Sequence, residues 1–288
     1  MGLPGGLLPP RPAEAHKGDF GRVLLVAGSR ELSGAAALCT LGALRVGAGL
    51  VTLALPKCLH APMVEKLTEA MFKVLPETSA GTVSSRAYAE LASTIERMQA
   101  VGIGPGLSQH AETKDVCRRL IATVVTPLVV DADALNALAE DVGLLKKRTL
   151  PCVITPHPGE MGRLIRQSAQ DVQSDRKRTA RAFAQQHRVV VVLKGHGTVV
   201  ASFDGQTYVN DTGNPGMASG GFGDVLTGMI VGLLGQGLAP FDAARLGVYL
   251  HGLAGDLAAN AKGQTGLLAS DLIERIPQAI RQYQGLPT

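Results

Sequence analysis

Short apolar runs, each stopped by a turn of unusual composition, constrain this chain more than any other feature. Residues 22–27 (RVLLVA) are closed by Gly28-Ser29, residues 100–103 run into Gly104-Pro105-Gly106, and residues 127–131 (PLVVD) end in an acid. Residues 151–155 (PCVIT) give way to Pro156-His157-Pro158-Gly159-Glu160, and 189–193 (VVVVL) to Lys194-Gly195-His196-Gly197-Thr198. A strand that is apolar throughout is buried on both faces, as in a parallel sheet covered by helices. Residues 49–55 and 71–75 extend the set, and 199–202 with 207–209 read as a hairpin around Asp204-Gly205. Helices are predicted over 34–48, 84–98, 112–123, 133–140, 171–186, 240–260 and 270–283, with Asp133 at the cap of the fourth. Strands alternating with helices give an α/β fold, three layers around a mainly parallel sheet. No polar linker or internal repeat divides the chain. A flexible or loosely docked arm over 1–15 and a single domain over 16–288 are therefore expected.

Ligands of such sheets bind outside the carboxyl ends of the strands. The special turns all fall at that edge: 104–106, 131–133, 157–160, 194–198 and 220–224. The last belongs to the stretch 210–235, NDTGNPGMASGGFGDVLTGMIVGLLG. Its second part, VLTGMIVGLL, carries no charge, so as a helix it is buried on every face. The helix N-terminus falls at Gly220, Gly221, Phe222 and Gly223, where free backbone N–H groups and the helix dipole favour an anion. Asp224 then stands beside a phosphate cradle. Either it caps the helix, as Asp commonly does, or it accepts a proton from a hydroxyl that attacks phosphorus.

The other turns carry similar alternatives. Lys194 reaches a nucleotide phosphate while Gly195 and Gly197 admit close backbone contact, or the turn merely enters a hairpin. His157, held between two prolines, is structural or catalytic. Glu160 caps the next helix or orders a hydrated Mg²⁺. Asp131 and Asp133 divide between helix capping and substrate or metal contacts.

Several classes are excluded. There is no G-x-x-x-x-G-K-[ST], G-x-G-x-x-G or H-E-x-x-H, and the histidines show no metal-ligand spacing. A net charge of +4, no Trp and 3% aromatics leave no stacking platform for nucleic acid. The basic cluster 176–181 (RKRTAR) reads as one solvated helix face. The ten-residue apolar run after Asp224 is too short to span a bilayer. Cys39, Cys58, Cys117 and Cys152 form no C-x-x-C pair, and the N-terminal MGLPGGLLPPRP lacks a basic n-region. A soluble protein of the reducing cytoplasm is expected.

Taken in order, the motifs are more specific than apart. They are Lys17-Gly18-Asp19-Phe20-Gly21, the run 23–28, Gly34-Ala35-Ala36, Gly47-Ala48-Gly49-Leu50, Gly104-Pro105-Gly106, Asp131-Ala132-Asp133-Ala134-Leu135-Asn136, and the stretches 155–160, 194–198 and 220–228. From about residue 15 to 285 the chain resembles the ADP-dependent NAD(P)H-hydrate dehydratase family, the carbohydrate-kinase-like part of the YjeF proteins. That resemblance implies a ribokinase-like fold and ADP-dependent dehydration of the S epimer of NADHX and NADPHX, releasing NAD(P)H, AMP and phosphate.

Asp224 would be the base and lie near the hydrated ring. Gly223, with the cradle residues Gly220, Gly221 and Phe222, would hold phosphoryl groups. Lys194, Gly195, His196, Gly197 and Thr198 would line the ADP site, and Ala35, Gly106 and His157 would contact the hydrated dinucleotide. Mg²⁺ would accompany ADP, with Glu160 its ligand through water, although sugar-kinase relatives carry Asn where this chain has His157. The resemblance also implies a homo-oligomer, tetramers included, and a stand-alone dehydratase served by a separately encoded NAD(P)HX epimerase. An ATP-dependent alcohol kinase of the hydroxymethylpyrimidine or hydroxyethylthiazole type is the alternative on the same fold. A silent nucleotide sensor is the third reading.

Overall fold

The computed structural model describes residues 5–8, 11–150 and 152–286. Parts of the expected arm (1–4, 9–10), Pro151 at the expected start of a strand, and residues 287–288 of the expected domain lie outside the described residues. The strands are β1 Arg22–Val26, β2 Leu50–Pro56, β3 Met71–Leu75, β4 Ala100–Ile103, β5 Leu128–Val130, β6 Cys152–Ile154, β7 Val190–Leu193, β8 Val199–Ala201 and β9 Thr207–Val209. The helices are α1 Ser33–Arg45, α2 His60–Lys66, α3 Tyr88–Ile95, α4 Ala111–Thr123, α5 Ala132–Ala139, α6 Pro158–Ile165, α7 Ala169–Ser174 and α8 Arg176–His187. Three more follow: α9 Phe222–Gly235, α10 Pro240–Lys262 and α11 Ala269–Tyr283.

The strands form one sheet in the order β3-β2-β1-β4-β5-β6-β7-β8-β9, parallel through β7 and antiparallel at the β7-β8-β9 meander. Side chains alternate across it. Val23 and Leu25 face a core shared with α1, α9, α10 and α11, while Leu24 and Val26 face the core under α3, α4, α5, α6 and α8. This is the expected three-layer α/β arrangement. Chain order reverses at β1, which pairs with both β2 and β4; such a switch point opens a crevice at the carboxyl edge. Register aligns Val26 with Ile103, Ile103 with Val130, Val130 with Ile154 and Ile154 with Val191. The turns after these strands are therefore neighbours.

Local differences from the sequence reading have local causes. The helix expected over 171–186 is two helices, because Asp175 leaves the helical conformation and its side chain accepts the Arg178 N–H. The helix expected over 84–98 begins as a 3₁₀ turn capped by Ser84, and α3 covers only its middle. Asp131, not Asp133, takes the cap position of α5, although its side chain makes no capping bond. The short α2 was not anticipated. In the described part of the arm, the Leu7 N–H donates to the Tyr283 hydroxyl at 3.1 Å, and Arg11 donates to Gly47 O at 2.6 Å and stacks on Phe20. No helix among the described residues is long and apolar enough to cross a membrane.

Helix α9 is buried nearly end to end, and what lets it sit there is backbone contact with α1. A Cβ on Gly228 would lie 1.9 Å from Cys39 O, and one on Gly42 would lie 2.4 Å from Val225 O. Each helix presents a glycine to the other's carbonyls, so α9 and α1 meet backbone to backbone at these two points. Gly228→Val is expected to lower stability by roughly 1–3 kcal/mol or more through overpacking. Gly220→Ala, with nothing within 4 Å of its Cβ position, is expected to leave the thermal midpoint unchanged; a melting comparison checks both.

Candidate active site

At the end of β5, Asp131 is 1% exposed, yet both its oxygens are occupied. Oδ1 accepts from Lys194 Nζ at 2.7 Å and Oδ2 from Thr227 Oγ1 at 2.6 Å. Lys194 comes from the end of β7 and Thr227 from the second turn of α9, so one carboxylate joins three elements. Lys194, with its side chain 19% exposed, also lies 3.9 Å from Glu160 Oε2. Burial pulls the ammonium down, but Asp131 and Glu160 outweigh it and hold Lys194 above its ordinary pKa.

Asp224 belongs to the same charge cluster. It is the third residue of α9, whose cap is Gly221 in the left-handed conformation. The N-cap position belongs to Gly221, while Asp224, an acid in the first turn, still suits the helix dipole. Burial raises its carboxyl to about 6, the Asp131 charge adds to the rise, and Lys194 opposes it. An aspartate so tuned exchanges protons close to neutral pH, where a general base works best.

The five residues Lys194–Thr198 and Gly223 line one cleft of about 470 Å³. Its other walls are the loop from Asn210 to Ala218 and the α10 residues Val248, His251 and Gly252. A Cβ on Gly223 would lie 3.4 Å from Lys194 Nζ, so the ammonium stands beside the backbone of the helix start. Phe222 buries its ring, and its carbonyl accepts from His251 Nε2 at 2.9 Å. Burial lowers His251 to about 4, so at neutral pH it is the uncharged Nε2–H tautomer. Two larger surface clefts, of about 960 and 1060 Å³, contain none of the expected residues.

On the crevice side, Gly106 adopts φ +63°, and a Cβ there would lie 2.9 Å from Ala35 Cβ. These two expected substrate contacts are brought together at the β1/β4 switch point, where Gly28 N–H donates to Pro105 O at 2.8 Å. Asp133 fixes the following loop, accepting from Ser108 N–H and Gln109 Nε2, each at 2.7 Å. His157 is half-exposed at the cap of α6. Its Nδ1 accepts from Gly159 N–H at 3.0 Å, and its own N–H donates to Glu160 Oε2 at 2.8 Å. Burial and then the Lys194 charge lower its pKa, leaving Nε2–H 3.5 Å from Glu160 Oε1. Glu160 thus caps its helix as one alternative held.

Among the described residues, no three His, Cys, Asp or Glu side chains converge to hold a metal ion. Asp131 is spent on Lys194 and Thr227, and one Glu160 oxygen on the cap. A hydrated Mg²⁺ carried on nucleotide phosphates needs only one or two carboxylates, and that arrangement fits the residues present.

Arg176 corrects one expectation. Rather than lying on a solvated face, it reaches the turn after β7, donating to Leu193 O at 2.8 Å and to His196 O. It braces the backbone of the cleft's first wall. His251 and Thr227 were also missed; each stands among apolar neighbours on its helix, a pattern that core packing produces as readily.

Comparisons place this geometry among known proteins. A family profile described as NAD(P)H-hydrate dehydratase matches residues 23–278. The chain is 49% identical over 277 residues to a bifunctional NAD(P)H-hydrate repair enzyme of Moorella thermoacetica, covering 96% of this chain and 52% of that protein. It thus spans about half the length of such bifunctional relatives. It is 36% identical over 277 residues to an ADP-dependent (S)-NAD(P)H-hydrate dehydratase of Bacillus subtilis, covering 96% and 95%. The structure of ADP/ATP-dependent NAD(P)H-hydrate dehydratase from B. subtilis, co-crystallised with ATP and Mg²⁺, superposes with a TM-score of 0.80 at 34% identity, covering 96% and 94%. A ribokinase-like superfamily protein of Enterococcus faecalis gives 0.81 at 29% identity, covering 96% and 92%. The expected ribokinase-like fold is the fold observed.

The raised pKa of Asp224 carries a stability consequence. Its folded-state value of about 6 lies above the ordinary one near 3.9. Ionisation therefore weighs against the fold as pH rises through that interval, and the full cost is present above it. Asp224→Asn is expected to stabilise the protein by roughly 1–3 kcal/mol at pH 8 and by little at pH 4. Denaturant melts at the two pH values check this.

Proposed function

We propose that this chain, which belongs to the NAD(P)H-hydrate dehydratase family, uses ADP to dehydrate the S epimer of hydrated NADH or NADPH, releasing NAD(P)H, AMP and phosphate. The observation that carries the chemistry is Asp224: a partly buried carboxylate of raised pKa, next to Gly223 of the 470 Å³ cleft and outside the N-cap position, which Gly221 takes. ADP would occupy that cleft along Lys194–Thr198, and the hydrated dinucleotide would lie toward Ala35, Gly106 and His157.

Asp224 takes the proton of the ring hydroxyl as its oxygen forms a bond to the β-phosphorus of ADP. The bond to the bridging oxygen breaks, and AMP leaves. The hydroxyl, a poor leaving group, has become a phosphate ester. The ring nitrogen's electron pair then expels phosphate, and loss of a proton from the adjacent carbon restores the dihydropyridine. Lys194, fixed by Asp131, supplies a positive charge beside the helix start, and the free N–H groups of the Gly220–Gly223 turn supply the cradle. Positioning and fixed charge account for most of the catalysis. Glu160 would hold a nucleotide-borne Mg²⁺ through water, and the ion would supply charge neutralisation to the phosphate oxygens.

An NAD(P)HX epimerase, whichever chain supplies it, would feed the other epimer into the same reaction. The four free cysteines suit a reducing cytoplasm.

The test mixes the protein with both epimers of NADHX, with and without ADP and Mg²⁺, following dihydropyridine absorbance and free phosphate. ADP-dependent recovery with equal phosphate release, levelling near half the hydrate, is the expected result. No recovery with ADP or ATP overturns the reading, and phosphate retained on an alcohol product would identify a kinase instead. Asp224→Asn is expected to lower kcat by roughly 10²–10⁴-fold while ADP affinity, read by calorimetry, stays close to wild type. Near-normal turnover would remove Asp224 as the base.

A further inference from the structure

The cleft's second wall is the loop between β9 and α9, which has no regular structure beyond a single turn at Pro215–Met217. A Gly- and Asn-rich loop of this kind needs an outside constraint to hold one shape, and α10 supplies it. Asp256 Oδ2 accepts from Gly213 N–H at 2.8 Å, and Oδ1 accepts from Asn214 Nδ2 at 2.9 Å. Asn214 passes the constraint on, its Oδ1 accepting from Gly216 N–H at 3.1 Å. Two turns of α10 earlier, Tyr249 O accepts from Thr212 Oγ1 at 3.0 Å. The helix has no side chain in between: a Cβ on Gly252 would lie 2.2 Å from Thr212 Oγ1, and one on Gly255 2.3 Å from Met217 Sδ. The loop is therefore seated on the helix backbone and clipped at its bend by one carboxylate. Gly213 adopts φ +102° there, a conformation with no intrinsic preference to keep it.

Asp256 does not line the cleft. Both of its oxygens accept from the loop, and it lies inside α10, away from either cap. A carboxylate spent in this way alters binding only through what it holds. Ordering a flexible loop upon ligand binding costs conformational entropy, and a loop already ordered spares that cost.

We propose that Asp256 is a positioning residue for nucleotide affinity: it keeps residues 212–217 as a preformed wall for ADP without touching ADP itself. The proposal rests on the assignment of ADP to this cleft. Asp131, Lys194 and Thr227, which surround the base, are tied to one another and not to this loop. Loss of the clip therefore separates binding from chemistry.

The experiment measures ADP binding by calorimetry without the hydrate, and then the kinetic constants for both substrates. Asp256→Ala is expected to raise the Kd and KM for ADP on the order of 10–100-fold, as for loss of hydrogen bonds to a charged group. At saturating ADP its kcat should stay within about threefold of wild type, with the KM for the hydrate unchanged. Asp256→Asn keeps the size of the side chain and one acceptor. It is expected to fall between, and it answers the question if the alanine variant does not fold. Unchanged ADP affinity in Asp256→Asn and Asp256→Ala overturns the proposal, as does an equal loss in kcat and in both KM values. Wild-type protein that binds no adenine nucleotide would sink the parent reading and this one with it; binding that the variants leave untouched would sink this one alone.

Discussion

The contact on which the site depends is the buried ion pair of Asp131 and Lys194, with Thr227 on the remaining carboxylate oxygen. A carboxylate at 1% exposure is costly unless every acceptor is used and an opposite charge is at hand. Here both conditions hold, and each partner comes from a different element. The pair thus fixes the ends of β5 and β7 to α9 at the place where phosphate chemistry is proposed. It also sets the electrostatics. Lys194 is shared by Asp131, Glu160 and Asp224, so one ammonium faces three carboxylates. Burial and then the Asp131 charge ready Asp224 to take a proton.

The fold delivers these groups by packing. Glycines on α1 and α9 let the two backbones meet, and Gly102 on β4 makes room for Val231 of α9 against the sheet. The N-terminus of α9 then faces the edge where β1, β4, β5, β6 and β7 all end. The small residues lose little in core area because Val225, Met229, Ile230 and Leu233 fill the remaining faces. The same economy of side chains recurs where α10 carries the loop proposed to wall the nucleotide. In both places a glycine serves contact between backbones, and function follows from the closeness obtained.

The strands could be read in the sequence because strands buried on both faces are written as unbroken apolar runs, and because their turns carry residues that no simple loop needs. Gly104-Pro105-Gly106, Lys194–Thr198 and Gly220–Asp224 were visible for that reason. Their convergence followed from the parallel topology. What could not be read is what depends on distant partners. Asp131 and Lys194 are separated by 63 positions, Asp131 and Thr227 by 96, and no local pattern links them. Asp131 itself resembled an ordinary helix cap, Arg176 one charge of a solvated run, and Asp256 an unremarked acid inside a helix. Asp175 broke a helix that composition extended through it, since a side chain competing for a backbone N–H leaves only a weak trace in sequence.

The central claim is that Asp224 is held as a base poised near neutrality by the charges around it. The most direct measurement is an NMR pH titration of the protein with ¹³C-labelled aspartate carboxyls, with Asp224→Asn used to assign the resonance. A midpoint near 6, moving when Lys194 is replaced by Met, is the result this account requires. A midpoint in the ordinary aspartate range near 3.9, indifferent to Lys194, would contradict it.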